Sequence, residues 1–229
     1  MTGQLTLIPT PIDDLSPLCQ KTMDTILLGI EKKDLILVEE HKANRRRWIQ
    51  HGLPRESIED FVLYNEHTRD QLKHEVIMDL KKGRNAMLLS DCGLPAFCDP
   101  GQELVDLCHQ NKIKVTSTPF SNSIALAIAL SGFKHDKFMF EGFIPVKRED
   151  RIAELKRILN NTVTSVIMDT PYRLGRLLEE VGSVDSARDL FLGLDLNQST
   201  EEVHRGNASY MLKTIRELKR EFILIVGPK

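Results

Sequence analysis

A two-part α/β fold is what this sequence predicts, on three observations. Short apolar runs alternate with helical patterns along the whole chain. The alternation starts afresh after "SGFKHD" (131–136). The length, 229 residues, is long for one domain and comfortable for two. The first half is expected to form a largely parallel five-stranded sheet covered on both faces. The second is expected to be a smaller α/β domain with a more mixed sheet. The expected domains are residues 1–134 and 135–229, with no flexible linker between them.

Each element follows from its local pattern. "LTLIP" (5–9) reads as a strand, and 16–29 as a helix with Leu18, Met23, Ile26 and Leu27 on one face. "LILVE" (35–39) is the next strand, and 41–52 a helix stopped by Gly52 and Pro54. "FVLY" (61–64) precedes a helix through Leu72, Val76, Ile77 and Leu80 that ends at Gly83. "AMLLS" (86–90), a helix from about Gly101 to Gln110, "KVTS" (114–117) and an apolar helix at 123–131 complete the first half. In the second half "KFMFEGF" (137–143), "TSVIMDT" (164–170), "DLFLGLDL" (189–196), "EEVHRG" (201–206) and "FILIVG" (222–227) read as strands. Helices are expected at 148–160, from Pro171 through Leu174, Leu177 and Leu178, and at 208–220.

Composition excludes several classes. With 41% hydrophobic and 28% charged residues the chain is an ordinary soluble globular protein. The N-terminus lacks a basic region followed by an apolar core, and no apolar run reaches about 18 residues, so neither a signal peptide nor a membrane helix is expected. Four cysteines without that context read as reduced thiols in the cytoplasm. No tight C-x₂₋₄-C knuckle or C-x-x-C pair occurs, so small buried thiols are expected and no metal. A net charge of −2 gives the chain as a whole no attraction to polyanions. Residues 41–55 are the exception: Lys42, Arg45, Arg46, Arg47 and Arg55 stand there without an acid. That patch is a candidate surface for RNA phosphates, with a solvated basic face as the alternative. Trp48 beside it reads as a core anchor.

In open α/β sheets ligands bind at the carboxyl ends of strands. Four loops in such places are unusual: "PTPIDD", "SDCGLPAFCDPG" (90–101), "TPFSNS" and "MDTPYR". Each holds proline, and the first three combine it with small polar residues. No G-x-x-x-x-G-K-[ST], G-x-G-x-x-G or G-x-S-x-G occurs, so phosphate-cradling and serine-hydrolase chemistry are not indicated. Within the second loop Asp99 reads as the N-cap of the following helix and Pro100 as its first residue.

The loops, in this order, resemble those of the tetrapyrrole methylases, two-domain S-adenosylmethionine-dependent methyltransferases. Within that superfamily they most resemble the branch that methylates a ribose 2′-hydroxyl of small-subunit ribosomal RNA. "TPIDDL" (10–15) is similar to T-P-I-G-N-L, and 90–101 to S-D-A-G-T-P-x-x-S-D-P-G. "FEGFIP" (140–145), "TPYR" (170–173) and "EEVHRG" (201–206) are similar to F-x-G-F-L-P, S-P-H-R and E-E-x-x-R-G. The resemblance spans essentially the whole chain.

It implies two α/β/α domains, a homodimer, S-adenosylmethionine as cofactor, S-adenosylhomocysteine as product and a cofactor cleft between the domains. The implied cofactor residues are Pro11, Ile12, Asp91, Gly93, Leu94, Ser123, Ile124 and Met168. Asp91 would accept from amino or hydroxyl groups, and Gly93 and Leu94 would bring the backbone close. A ribose hydroxyl calls for a general base, and Glu66, His67 and Glu39 are the candidates on that rim, with His41 beside them. The chain departs from the branch at Asp13, at Glu39–Lys42 (where the branch has E-D-T-R), at "YNEHTR" (64–69) and at "PFSNSI" (119–124). A tetrapyrrole or other small acceptor, and a regulatory protein that binds the cofactor without turnover, therefore stay open beside ribosomal RNA.

Overall fold

The computed structural model describes residues 2–13, 15–120 and 122–229, so Asp14 of "TPIDDL" and Ser121 of "PFSNSI" lie outside the described residues. The chain divides into two compact units, Met1–Ser121 and Asn122–Lys229.

The first unit holds β1 (Gln4–Ile8), α1 (Gln20–Glu31), β2 (Leu35–Val38), α2 (His41–Gln50), β3 (Phe61–Leu63), α3 (Arg69–Lys81), β4 (Ala86–Leu89), α4 (Gln102–Gln110) and β5 (Lys114–Ser117). Its five strands are all parallel, in the order β3-β2-β4-β1-β5. Every residue of β2 and β4 is buried, as expected for central strands covered on both sides. The two-residue strand period sorts their side chains. Ile8, Ile36, Val38, Met87 and Leu89 face Ile26 of α1 and Trp48 of α2. Leu5, Leu35, Leu37, Ala86 and Leu88 face Val76, Ile77 and Leu80 of α3 and Leu104 and Cys108 of α4. Helices α1 and α2 therefore cover one face, and α3 and α4 the other.

Expectation and structure differ at the helix ends. The first helix starts at Gln20, after Pro17 and an N-cap at Cys19, rather than at residue 16. It buries Thr22, Ile26 and Gly29, while Leu27 is exposed, because the buried stripe runs through Ile26. A short 3-10 turn, Arg55–Asp60, precedes β3 and carries no strong sequence period.

The second unit holds α5 (Ser123–Ser131), β6 (Phe138–Phe143), α6 (Arg148–Leu159), β7 (Thr164–Met168), α7 (Leu174–Val184), β8 (Leu190–Leu194), β9 (Glu202–Gly206), α8 (Ala208–Thr214) and β10 (Phe222–Val226). Its sheet runs β6-β7-β10-β8-β9; only β6 and β7 are parallel neighbours. Helices α6, α7 and α8 pack on one face against Ile167, Leu192 and Leu224. Helix α5 packs on the other, placing Ile124, Ala127 and Ile128 against Val166, Phe191, Ile223 and Ile225. That contact carries α5 into the second unit, so the division falls after residue 121 and not after 134. The helix expected at 208–220 stops at Thr214: Ile215 turns extended (ψ 121°) and is buried in the core beneath α8.

One buried ion pair ties α6 to α7. Arg151 donates to both carboxylate oxygens of Glu180, at 2.5 and 2.7 Å, and its Nη1 also donates to the Val146 carbonyl at 2.6 Å. Both side chains are less than a tenth exposed. The hydrogen bond from Arg151 holds the Glu180 carboxyl below the usual carboxylate range despite burial. Glu180→Ala is expected to cost about 3–5 kcal/mol, because it strands the guanidinium in the core. The contribution is complete above the ordinary carboxylate range and is lost as pH falls through the lowered folded-state value. Urea denaturation of wild type and variant at pH 7 and in acid should therefore show a stability gap that narrows in acid. An equal gap at both would refute the assignment.

Candidate functional site

Parallel strands place all the loops that leave β1–β5 on one edge of the first sheet. The loop after β4 leads to α4, on the opposite face from the helices α1 and α2 that follow its neighbours β1 and β2. Chain connections thus diverge around β4, and such a divergence opens a crevice at the strand ends.

Two of these loops are stitched together. Thr10 N donates to the Gly93 carbonyl at 2.9 Å, and Gly93 N donates back to the Thr10 carbonyl at 3.1 Å. Ser90 Oγ also donates to the Gly93 carbonyl at 2.8 Å, and Thr10 Oγ1 to the Ser90 carbonyl at 3.3 Å. The β4 loop needs left-handed backbone at four places: Gly93 (φ +85°), Ala96 (+65°), Cys98 (+65°) and Gly101 (+132°). Gly101, not Asp99, is the N-cap of α4. A Cβ there would lie 2.6 Å from Leu88 Cδ2, so the close approach to β4 selects glycine.

Helix α2 brackets both loops through one face, Asn44, Arg47 and Trp48, all buried. Arg47 Nη1 donates to the Pro11 carbonyl at 2.8 Å. Asn44 Nδ2 donates to Asp91 Oδ1 at 2.5 Å, and Glu40 N donates to the same oxygen at 3.2 Å. Trp48 sits in the core, donating through Nε1 to the Pro54 carbonyl at 2.9 Å and to Ser57 Oγ at 3.1 Å. Arg47 is therefore a structural clamp, a correction to its assignment to the phosphate-binding patch: its guanidinium is turned inward by the Pro11 carbonyl. Lys42, Arg45 and Arg46 remain on the exposed side of the helix. In the β1 loop, Asp13 stands where the resembling motif has glycine. Its Oδ1 accepts from Leu15 N (2.8 Å) and Ser16 N (2.6 Å), so a side-chain turn replaces glycine's freedom.

The crevice is lined by carboxylates. Burial pushes Asp99 up to about 7, with the charges of Glu39 and Asp91 adding to the shift. Glu39 is raised by burial, then by Asp91, Glu40 and Glu66. Asp91 is raised by burial too, although Asn44 and the Glu40 amide pull it back. Three half-buried carboxyl groups, each raised by burial, with Glu39 and Asp99 raised further by neighbouring carboxylates, form a site suited to a ligand carrying positive charge and donor hydrogens.

Of the proposed catalytic residues, Glu39 belongs to this cluster. Glu66 and His67 stand exposed in the turn between β3 and α3, with His67 Nε2 3.5 Å from Glu66 Oε1. Asn65 organises that turn, its Oδ1 accepting from His67 N and Thr68 N at 3.0 and 3.2 Å. Pro11, Ile12, Asp91, Gly93 and Leu94 lie together in the stitched pair of loops. In the second unit, Asn122 caps α5 by accepting from Ile124 N and Ala125 N at 2.8 and 3.1 Å. That cap sets Ser123 at the first position of α5. Ile124 and Met168 share one apolar cluster there. Cys92 and Cys98 are exposed, not the small buried thiols expected, because the left-handed turns carry both outward; Cys108 alone is buried. Among the described residues no group of three or more His, Cys, Asp or Glu is placed to hold a metal ion.

Sequence reasoning missed Asn44 and the Arg47 clamp. Both were detectable as polar residues three apart on the face of α2 that carries Trp48.

No family model matches the chain. A "Ribosomal RNA small subunit methyltransferase I" of Synechocystis sp. is 30% identical over 230 residues, covering 98% of this chain and 79% of that protein. The protein of that name from Escherichia coli O157:H7 is 29% identical over 229 residues, covering 98% and 77%. Among solved structures, diphthine synthase aligns with a TM-score of 0.64 at 11% identity, covering 99% of this chain and 90% of that one. Uroporphyrin-III C-methyl transferase from Thermus thermophilus, complexed with S-adenyl homocysteine, aligns at 0.57 with 13% identity, covering 98% and 97%. At these identities the solved structures speak to the fold, which is that of the tetrapyrrole methylases.

The carboxylate cluster has a measurable signature. A carboxyl whose folded-state value is raised binds its proton more tightly when folded, so its contribution to stability is full in acid and declines as pH rises towards about 7. Asp99→Asn is expected to remove that decline and to stabilise the protein at pH 8 by at least about 1 kcal/mol. Denaturation midpoints between pH 4.5 and 8 check this. An unchanged pH slope in the variant would show that Asp99 is not under this strain.

Proposed function

The chain belongs to the ribosomal RNA small subunit methyltransferase I family, and on that premise we propose that it methylates a ribose 2′-hydroxyl of small-subunit ribosomal RNA. It is an S-adenosylmethionine-dependent methyltransferase, with S-adenosylhomocysteine as product. The observation that carries the placement of the cofactor is the crevice beside β4, where stitched loops adjoin crowded carboxyl groups. Such a site fits a ligand with a cationic sulfur, an ammonium group and ribose hydroxyls. When bound, S-adenosylmethionine supplies a methyl group already activated by its positive sulfur.

The protein's own task is alignment. Asp91, held by Asn44, accepts from the ligand's amino or hydroxyl groups. Pro11, Ile12, Gly93 and Leu94 shape the backbone path of the stitched loops beside the ligand, and Ser123, Ile124 and Met168 are the cofactor residues that the family resemblance implies in the second unit. Glu39 suits the general base, because burial and Asp91 raise its affinity for a proton. Glu66 and His67, on the exposed turn, suit contact with the incoming ribose. Lys42, Arg45 and Arg46 on α2 receive RNA phosphates. The same reading makes the protein a homodimer of the cytoplasm; among the described residues no helix is long and apolar enough to cross a membrane.

Three measurements test the reading. Purified protein should bind S-adenosylmethionine by calorimetry and transfer tritiated methyl to unmodified small-subunit ribosomal RNA. Transfer to a porphyrinoid precursor instead would replace the acceptor. Asp91→Ala should lower cofactor affinity by at least about tenfold, the equivalent of a lost hydrogen bond to a charged group. Replacing Arg45 and Arg46 by glutamine should flatten the log–log salt dependence of RNA binding by up to about two units. Cofactor affinity should be unchanged in that variant. A salt slope equal to wild type would make the patch a solvated face.

A further inference from the structure

The second unit carries a cavity of about 1070 Å³ that the reaction above does not use. Strands β7 and β8 both pair antiparallel with β10, so their carboxyl ends share one sheet edge with the start of β10. The cavity opens at that edge. Its walls come from Thr170–Tyr172 after β7, the turn between β8 and β9, and the segment from Thr214 to Glu221 that leads into β10.

Its most unusual wall is aromatic. Tyr172 is 77% exposed, where a tyrosine ring would ordinarily be covered. Lys219 Nζ lies over the ring, 4.4 Å from its centroid. One face of the ring is thus met by a cation, while the exposure leaves the other open for a flat partner.

The charges of the cavity are already arranged. Arg220, whose side chain is 10% exposed, donates to Asp195 Oδ2 at 2.7 Å and to Glu202 Oε1 at 2.5 Å, and also to the Thr200 carbonyl. Thr200 Oγ1 donates to the same Asp195 oxygen at 2.9 Å. The one guanidinium is thus shared between two of the lining carboxylates, and the trio keeps a single negative charge within the wall. Arg216 and Lys219 stand exposed on the rim beside Glu217. With Glu217 and Glu221 also in the lining, four carboxylates stand against three cations, so the cavity as a whole gives an anionic strand no electrostatic pull and affinity is left to stacking and to a local contact at the rim.

Building on the reading of the protein as an RNA methyltransferase, we propose that this cavity receives an unpaired base of the RNA. The base stacks on the open face of Tyr172, and Arg216 meets the adjoining phosphate. A ring exposed in a polar cavity, backed by a cation, is the arrangement by which proteins hold splayed-out bases without reading their edges. The pairing of Arg220 with Asp195 and Glu202 keeps the wall rigid, so the base meets a preformed slot.

The test reads binding directly, so that it does not depend on turnover. The full-length chain is titrated into a fluorescently labelled single-stranded oligoribonucleotide, and anisotropy is followed at several salt concentrations. Tyr172→Ala should weaken binding by about tenfold or more, the usual effect of losing a base-stacking ring, whereas Tyr172→Phe should stay near wild type. Arg216→Gln should lower the log–log salt slope by about 0.7. S-adenosylhomocysteine affinity, measured on the same preparations, should be unchanged and certifies the fold. Wild-type RNA affinity in Tyr172→Ala would overturn the proposal, and would point to a protein partner for the exposed ring. Equal losses in the Ala and Phe variants would also overturn it, since the ring would not be the contact. Should the wild type bind RNA in this way yet transfer no methyl to it, the proposed acceptor fails while the stacking site stands.

Discussion

Everything proposed for the first unit depends on one short helix holding two loops still. Helix α2 has no strong amphipathic stripe, and arginine occupies three of its ten positions. Its buried face is nonetheless specific: Trp48 seats it in the core, Arg47 grips the Pro11 carbonyl and Asn44 grips Asp91. The Thr10–Gly93 pair of hydrogen bonds then joins the gripped loops to each other. A loop with four left-handed residues would otherwise sample many conformations, and each of these hydrogen bonds removes some of that freedom.

The rigidity has an electrostatic consequence. Asp91 is held where Glu39 and Asp99 already crowd the crevice, and the three cannot all ionise freely. A protein that kept such a cluster for stability alone would be working against itself, since the strain grows as pH rises. A cationic ligand relieves it. On the proposed placement of the cofactor, stability given up at the strand ends returns as affinity for its positive charge.

The second unit solves a different problem. Its sheet is mixed, with helices α6–α8 on one face and α5 alone on the other. The buried Arg151–Glu180 pair fixes the spacing of α6 and α7, and the Arg220 network fixes the turn after β8. Both are networks of charge that satisfy themselves inside the protein, unlike the carboxylates of the first unit. The contrast separates ion pairs that hold the fold from charges that wait for a partner.

How much of this was legible follows from the range of each interaction. Strand and helix signals are local, so the ten strands and eight helices of the described residues were all anticipated, most of them from apolar periodicity, and the short loop motifs were enough to indicate the family. Helix ends were less legible where a distant contact decides them: Ile215 leaves α8 for the core, and Gly101 caps α4 because Leu88 lies beneath it. The sequence by itself determined the α/β architecture, the parallel first sheet and the loops rich in glycine and proline, because these rest on alternation and backbone freedom. Only the tertiary structure decided which arginine is a clamp and which faces solvent, that Asp99 belongs to a carboxylate cluster and not to a helix cap, and that α5 packs with the second sheet. Those outcomes depend on groups tens of residues apart coming within hydrogen-bond or Coulomb range, and a linear pattern holds no record of that distance.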